Sequence, residues 1–142
     1  MIARFINTTV LASLLATSLI APAAARAETP PPLRENDYIN SRLLGAAVGD
    51  EIRKNCPSIS PRYVTFLRRK WELERYALDQ GYTREEIVAY VDSKVEQRRM
   101  NGLRDEYLKE NGVVRGDSES YCRLGREEIA AETYMGTMLK EH

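Results

Sequence analysis

Residues 43–58 read LLGAAVGDEIRKNCPS, and the end of this stretch decides the fold. In the longer segment 35–55, apolar side chains recur at helical spacing. They are Ile39, Leu43, Ala46, Ala47 and Ile52. The spacing predicts a first helix, which ends at Cys56-Pro57 because proline cannot continue a helix. Cys56 is therefore expected directly after the end of this helix.

The other cysteine, Cys122, lies in segment 116–130, which reads GDSESYCRLGREEIA. The Gly-Asp-Ser sequence that opens this segment supplies a loop and a cap for a fourth helix, expected over about 119–140. With two cysteines in the chain, Cys56 to Cys122 is the single intramolecular pairing available. Such a disulfide would hold the first and fourth helices side by side and antiparallel. It would also stabilise the fold by about 4 kcal/mol, because it closes a long loop.

A redox-active pair and a metal site are the alternatives for the two thiols. The spacing is not Cys-x-x-Cys, which would lower a thiol pKa, and no histidine lies near either cysteine in sequence. The one histidine, His142, is the last residue of the sequence, and two thiolates with one imidazole do not complete a tetrahedral zinc site. We therefore expect a structural disulfide, no metal and no cofactor.

Capping patterns define the second and third helices. Ser60, directly before a proline, predicts the start of the second helix through a hydroxyl cap. Gly81 ends this helix. Its apolar stripe consists of Val64, Leu67, Trp71 and Leu78. Thr83 and Glu86 form a capping box, which opens a third helix at the next residue.

The third helix is expected to reach Asn111, with a kink or break at Asn101-Gly102, where its apolar positions slip in phase. No segment has the alternation of a strand. The fold class predicted is therefore all-α, a compact bundle of about four helices with the first and fourth joined by the disulfide. Three aromatic residues are assigned to its core or rim, namely Trp71, Tyr76 and Tyr121.

Small residues predict close packing between the two helices that the disulfide joins. Gly45 and Gly49 on the first helix would approach residues 129–133, and Gly125 would approach Ile52 or Arg53. In a membrane, Gly-x-x-x-Gly favours helix dimerisation. This helix carries several charged residues and is too polar to insert, so packing within one domain is the better interpretation.

The first 27 residues have the order of a cleavable signal peptide. Arg4 precedes an apolar core over 10–20, which small residues follow up to Ala27. The core is too short to span a bilayer comfortably, so cleavage after Ala27 and a periplasmic location are expected, with a retained anchor helix as the alternative. Residues 28–34 then form a proline-rich extended leader, and residues 35–142 form a single helical domain.

The charge balance argues against polyanionic partners. Loss of Arg4 and Arg26 with the signal peptide leaves 19 basic against 21 acidic residues, a net charge near −2. With this slightly negative net charge, neither nucleic-acid binding nor polybasic membrane binding has an electrostatic driving force. The basic run 68–70 is interpreted as a solvated helix face, with an anion site as the alternative, because Arg68 and Lys70 each have a glutamate one turn away. The acidic pairs 85–86, 106–110 and 127–128 are interpreted as non-catalytic, since the first pair lies at a helix start and Arg123 lies one turn before Glu127. No set of residues has the pattern of a catalytic site.

The segments 43–58 and 116–130, with ERYALDQGYTREEI at 74–87, resemble a family of small exported alphaproteobacterial proteins that is grouped as a domain of unknown function. The resemblance covers nearly the whole mature chain and includes both cysteines, which supports their pairing. It implies no activity. It also associates such genes with those of respiratory NADH dehydrogenase, which makes a membrane respiratory complex a candidate partner.

Three hypotheses for function follow. The first is a non-enzymatic periplasmic protein that binds another protein as an accessory or assembly factor. The second is a periplasmic chaperone that exposes apolar helix faces in acid. The third, ranked last, is a small-ligand binder or an enzyme. A pocket of several hundred cubic ångströms with convergent polar groups would revive this third hypothesis.

Overall fold

α-Helices dominate the computed structural model, which describes residues 29–142. The helices are α1 (Asp37–Asn55), α2 (Tyr63–Asp79), α3 (Arg84–Asp92), α4 (Lys94–Glu110) and α5 (Ser118–Ala130). The strands are β1 (Ile59–Pro61) and β2 (Leu139–Glu141), and 3-10 turns cover Leu33–Glu35 and Gly136–Met138. The predicted signal peptide, residues 1–27, lies outside the described residues. The predominantly helical fold is confirmed, with five helices in the described part instead of about four.

A disulfide joins Cys56 to Cys122, as predicted. Cys56 is the residue that ends α1, and Cys122 lies early in α5. Their Cα atoms are 5.0 Å apart, and both side chains are buried. The two helices run antiparallel, because Ile52 before the first cysteine meets Gly125 after the second.

The main core surrounds this disulfide. Its members come from α1, β1, α4, α5 and the C-terminal segment, and they include Val48, Ile52, Ile59, Leu108, Leu124, Met135 and Leu139. A smaller second cluster joins the amino-terminal turn to α1, α2 and the loop before α3 through Leu33, Ile39, Ala77 and Tyr82. The hydroxyl of Tyr82 donates to the Pro31 carbonyl at 2.7 Å, which holds the proline-rich segment against the domain. The leader expected over 28–34 is not extended throughout, because a 3-10 turn begins at Leu33, whose side chain is buried in this cluster.

The glycines mark close approaches of the backbone. A Cβ atom built on Gly125 would lie 2.8 Å from Ile52 Cγ2 and 2.3 Å from a methyl group of Ile59. Gly45 lies against Tyr134, and Gly49 lies against Met135. Both glycines were expected against 129–133 instead. The difference arises because α5 ends at Ala130, so the following segment folds back over α1.

Ser60 does not cap a helix, and the prediction that it does is wrong. Ser60 lies in β1, where it pairs with Lys140 in an antiparallel two-stranded sheet. α2 begins later, at Tyr63, and its N-cap residue Arg62 makes no side-chain capping bond. The Arg62 amide instead donates to the Met138 carbonyl at 2.7 Å. Backbone bonds to a segment distant in sequence therefore override the local Ser-Pro pattern, and the expectation of no strand is also wrong.

The fourth predicted helix is shorter than expected and ends at Ala130 instead of about residue 140. The chain reverses at Glu132, which has a positive φ of 50°. Gly136 then lies so close to the Glu128 carbonyl that a Cβ atom would be 1.9 Å from it. This reversal brings the next residues onto the core, and β2 follows.

The third predicted helix is divided, but at Ser93 and not at Asn101-Gly102. Ser93 ends α3 and caps α4, where its hydroxyl accepts from the Glu96 amide at 3.4 Å. Gly102 lies inside the continuous helix α4, and a Cβ atom there would meet nothing within 4 Å. A serine cap with a glutamate three residues later is thus the stronger boundary, because it satisfies amides at a helix start.

Thr83 and Glu86 make both bonds of a capping box at the start of α3. The Thr83 amide donates to Glu86 Oε2 at 2.7 Å, and the Glu86 amide donates to Thr83 Oγ1 at 3.2 Å. The bond from the Thr83 amide is the main cause that lowers the pKa of Glu86.

Within residues 29–142, none of the helices has both the length and the apolar character that crossing a bilayer requires.

Candidate functional site

An open groove of about 550 Å³ separates α1 from α2 and α3. Its walls are mainly apolar side chains, among them Leu43, Leu73, Ala77, Ile87, Val88 and Val91. The volume falls within the roughly 300–1,000 Å³ of small-molecule pockets. The groove therefore meets the size condition that was set for a ligand-binding hypothesis.

Two arginines converge at one end of the groove. Arg42 of α1 and Arg69 of α2 line both the groove and an adjoining recess of about 50 Å³. The Arg42 guanidinium carbon lies 4.8 Å from the ring centre of Tyr38 and 4.4 Å from that of Tyr134. The Arg69 guanidinium carbon lies 5.5 Å from the Tyr134 ring centre. Cation–π contacts thus hold both guanidiniums at the recess.

Both guanidiniums keep an unused donor. The Nε atoms of Arg42 and Arg69 are buried and have no hydrogen-bond partner among the described residues. Glu72 accepts from Arg69 Nη1 at 3.0 Å, whereas within residues 29–142 no carboxylate lies within ion-pair distance of Arg42. A buried donor without a partner costs roughly 1–3 kcal/mol, so the recess is incompletely satisfied.

Tyr134 forms the third part of this recess. Burial raises the pKa of its phenol, although the neighbouring charges of Arg42 and Arg69 oppose the shift. The phenol is therefore protonated at neutral pH and keeps its O–H as a donor. The ring also lies 3.3 Å from where a Cβ atom on Gly45 would be, so this glycine makes room for it.

A second feature is an apolar stripe on the outer side of α2, formed by Val64, Leu67, Trp71 and Leu78. The stripe was predicted from spacing, but the assignment of Trp71 to the core or its rim is wrong. Trp71 is 63% exposed and Val64 is 84% exposed. The reason is that α2 packs through the opposite side of the helix, where Ala77 and its neighbours lie. Tyr121 is buried in the main core, and Tyr76 packs against the second cluster.

The α2 stripe, as we call these four residues, has basic residues along one margin. Successive helical residues are 100° apart, so Arg68 and Arg75 lie next to the stripe. Arg68 lies 3.8 Å from Glu72 in an exposed pair. Within residues 29–142, Arg75 has no carboxylate within ion-pair distance. The margin therefore retains positive charge.

A buried carboxylate, that of Glu128, connects α4, α5 and the C-terminal turn, and it belongs to the acidic pair 127–128. Glu128 is only 7% exposed, and it accepts from the Tyr107 hydroxyl at 2.7 Å. The Thr133 hydroxyl donates to the other carboxylate oxygen. Burial, with the hydrogen bond to Glu128 as a second cause, raises the pKa of Tyr107 to about 12. These bonds satisfy the carboxylate, which joins α4 to α5 and α5 to the C-terminal turn.

The sequence-predicted residues and the groove overlap little. The disulfide and Gly125 lie in the main core, and the capping box lies at the start of α3. Arg69 was singled out only as part of the basic run 68–70, and its interpretation as a solvated helix face is wrong, because its Nε atom is buried and its side chain lines the recess. Arg42 and Tyr134 lie far apart in sequence and match no motif, so neither was predicted as a site residue. Among the described residues, no three His, Cys, Asp or Glu side chains converge as metal ligands would.

Fold and site together define a small helical domain that a disulfide closes and that leaves an apolar groove open to solvent. The chain belongs to the family described as a family of unknown function (DUF5333), whose model matches residues 31–140. This confirms the resemblance to a domain of unknown function. No curated protein and no solved structure matches the chain.

Proposed function

We propose that the chain is exported to the periplasm, loses its signal peptide after Ala27, and acts there as a non-enzymatic accessory or assembly factor. The disulfide supports an oxidising compartment, because such bonds persist outside the reducing cytosol. The role itself is supported by a binding surface on α2. We propose no catalytic step, and neither a metal nor a cofactor is needed for this role.

The observation that carries the proposal is the outward position of the α2 stripe. Val64 and Leu78 lie 14 positions apart on one helix, which is about 21 Å at a rise of 1.5 Å per residue. Val64, Leu67 and Trp71 follow one another at one-turn spacing, and Leu78 lies two turns beyond Trp71. Large exposed apolar patches on monomeric proteins mark binding sites. Tryptophan is also enriched among the residues that dominate binding energy, which favours Trp71 as the centre of the contact.

The occupant that fits this surface is an amphipathic helix of another protein. A helix laid along α2 would insert its apolar residues between Leu67, Trp71 and Leu78. Acidic residues on its flank would meet Arg68 and Arg75, which border the stripe. The family resemblance makes a membrane respiratory complex the first partner to test.

Proximity labelling in the native periplasm tests the proposal. We compare the wild type with Trp71→Ala, which removes the centre of the stripe, and with Val114→Ala as control. Val114 is 60% exposed but lies on the loop between α4 and α5. We expect the labelled partner to be lost with Trp71→Ala and retained with Val114→Ala.

Two results would count against this proposal. One is a labelled set that is the same in all three proteins. The other is labelling of further copies of this chain alone, which would make the stripe a homodimer surface. Because Trp71 is the single tryptophan, binding of the identified partner in vitro should also shift the intrinsic fluorescence to shorter wavelength.

A chaperone that exposes apolar surface in acid is the second candidate, and the ion pairs of Glu96 favour it. Arg34 Nε and Arg99 Nε donate to Glu96 at 2.9 and 2.8 Å, which joins the amino-terminal turn to α4. The bond from Arg34 is the main cause that lowers the pKa of Glu96, and the bond from Arg99 is the second. A lowered carboxylate pKa contributes stability that is lost as pH falls through the folded value. Acid would therefore weaken the attachment of the amino-terminal turn to α4 and expose apolar residues of the second cluster.

Light scattering of an aggregating client protein at about pH 3 tests this second candidate. We expect wild-type chain to suppress the scattering in acid, and Glu96→Gln to suppress it already at a higher pH. Glu106→Gln, an exposed carboxylate of the same helix, is the control and should behave as wild type. Client aggregation at the same rate with and without the protein would remove the chaperone candidate.

A further inference from the structure

We propose that the groove binds a free long-chain monocarboxylate, with the alkyl chain in the groove and the carboxylate in the recess between Arg42 and Arg69. This binding goes beyond the proposed interaction role. It uses a different surface, since none of the four α2 stripe residues lines the groove. Success or failure of one proposal therefore does not decide the other.

The groove suits an unbranched apolar chain. Its walls come from three helices through Leu43, Leu73, Ala77, Ile87 and Val91. Apart from the two arginines of the recess, four charged residues border it and their formal charges cancel, with Glu74 and Arg84 in direct contact; the other two are Lys70 and Asp92. An alkyl chain would bury these apolar walls without leaving polar groups unsatisfied.

The recess suits the head of the same molecule. It adjoins the groove, because Arg42, Arg69, Leu73 and Tyr134 line both. Both guanidiniums line the recess, and within residues 29–142 Arg42 has no carboxylate within ion-pair distance. A carboxylate in the recess accepts hydrogen bonds from guanidinium N–H groups readily. The protonated phenol of Tyr134 offers a further donor at the same place.

The charge of the recess favours a monoanion. Arg42 and Arg69 contribute two positive charges, and Glu72, which also lines the recess, contributes one negative charge. Glu72 bonds to Arg69 and leaves Arg42 without a carboxylate partner among the described residues. The remaining single positive charge matches one carboxylate, whereas a dianionic phosphate would bring excess negative charge beside Glu72.

Isothermal titration of the disulfide-bonded chain from residue 28 with octanoate, decanoate and dodecanoate tests the alkyl part. Burial of each added methylene predicts about a fourfold gain in affinity. Val91→Trp, at the exposed wall of α3, should narrow the groove and weaken all three acids. Affinity that does not change with chain length would contradict the assignment of the groove, and absence of binding by the wild type would overturn the proposal.

Decanol and decyl phosphate test the head. Arg42→Gln and, independently, Arg69→Gln should weaken decanoate binding roughly tenfold or more, because each removes a charged hydrogen-bond donor. Decanol binding should stay unchanged in both variants. Arg115→Gln is the control, since Arg115 is an exposed arginine of the loop before α5 that lines neither the groove nor the recess. Near-ultraviolet circular dichroism verifies that each variant keeps its tertiary structure.

Several results would overturn the assignment of the head. Equal losses for decanoate and decanol would show that the arginines act through the fold and not through the carboxylate. Tighter binding of decyl phosphate than of decanoate would contradict the monoanion. Binding to vesicles of anionic phospholipid without binding of free decanoate would assign the arginines to a membrane surface instead.

Discussion

At the residue scale, Gly125 shows how closely the disulfide-linked helices pack. The nearest side chains, Ile52 and Ile59, leave no room for a methyl group on α5. Gly102 is the opposite case, because it lies in the interior of α4 with open space around its missing Cβ. The same residue type therefore serves packing at one position and costs helix stability at the other.

Substitution of these two glycines by alanine should have opposite effects. Gly125→Ala should lower the free energy of unfolding by about 1–3 kcal/mol, because the new methyl group overfills the core. Gly102→Ala should raise it by up to about 1 kcal/mol through helix propensity. Urea denaturation of both variants beside the wild type measures the two shifts. Equal and small effects would contradict the packing described for Gly125.

The phenol of Tyr107 makes a prediction for alkaline stability. Its folded pKa of about 12 lies above the value of about 10 of an unfolded tyrosine. Between these values the unfolded chain loses the proton and the folded chain keeps it, so the free energy of unfolding should fall as pH rises. Below about pH 10 this contribution is fully present.

Tyr107→Phe removes this titration and should give a shallower fall of stability over about pH 10–12. Thr133→Val is the control, because it removes a hydrogen bond to Glu128 but keeps the phenol. It should lower stability at all pH values and leave the alkaline slope steep. Urea denaturation at a series of pH values provides the slopes, and identical slopes for wild type and Tyr107→Phe would disprove the assignment.

At the scale of the elements, boundaries depend on which partner satisfies the first amides of a helix. The start of α3 is satisfied locally by Thr83 and Glu86, so the capping pattern is a reliable guide there. The start of α2 is not, since Arg62 before it bonds to the C-terminal segment. Ser60 resembles a cap only in sequence.

The two positions can be compared directly. Thr83→Ala should lower the free energy of unfolding by about 1 kcal/mol, because the cap of α3 is lost. Ser60→Ala should change it by less than about 0.5 kcal/mol, since the hydroxyl caps no helix in this structure. Chemical denaturation of both variants measures the difference. A larger loss of unfolding free energy for Ser60→Ala than for Thr83→Ala would contradict the conclusion that Ser60 caps no helix.

At the scale of the whole molecule, the disulfide joins elements 66 positions apart in sequence and lies inside the main core. The second cluster, with the groove beside it, has no such covalent bond. The binding surfaces on α2 therefore belong to the part of the molecule that packing alone holds together.

Removal of the disulfide should have a large effect on stability. Replacement of both cysteines by serine should lower the free energy of unfolding by about 4 kcal/mol, chiefly because the unfolded chain gains the entropy of the opened loop. Guanidinium denaturation with and without reductant gives the measurement. Reductant should destabilise the wild type by a similar amount and leave the double variant unchanged. A wild type that is insensitive to reductant would contradict the structural role.

Local pattern accounts for much of the fold. The end of α1 at Cys56, the capping box before α3 and the choice of disulfide partner could all be predicted, because each depends on neighbouring residues or on a count. Spacing also predicted the apolar stripe of α2. These features need no knowledge of which elements are adjacent.

What only the tertiary structure decided is which side of an element faces which neighbour. Spacing identifies the α2 stripe but does not say whether it is buried, and contacts made by the opposite side of α2 leave it outside. The strand pair and the early end of α5 arise because the C-terminal segment finds backbone partners near Arg62. The recess of Arg42, Arg69 and Tyr134 assembles residues from three separate segments, and no local pattern encodes that meeting.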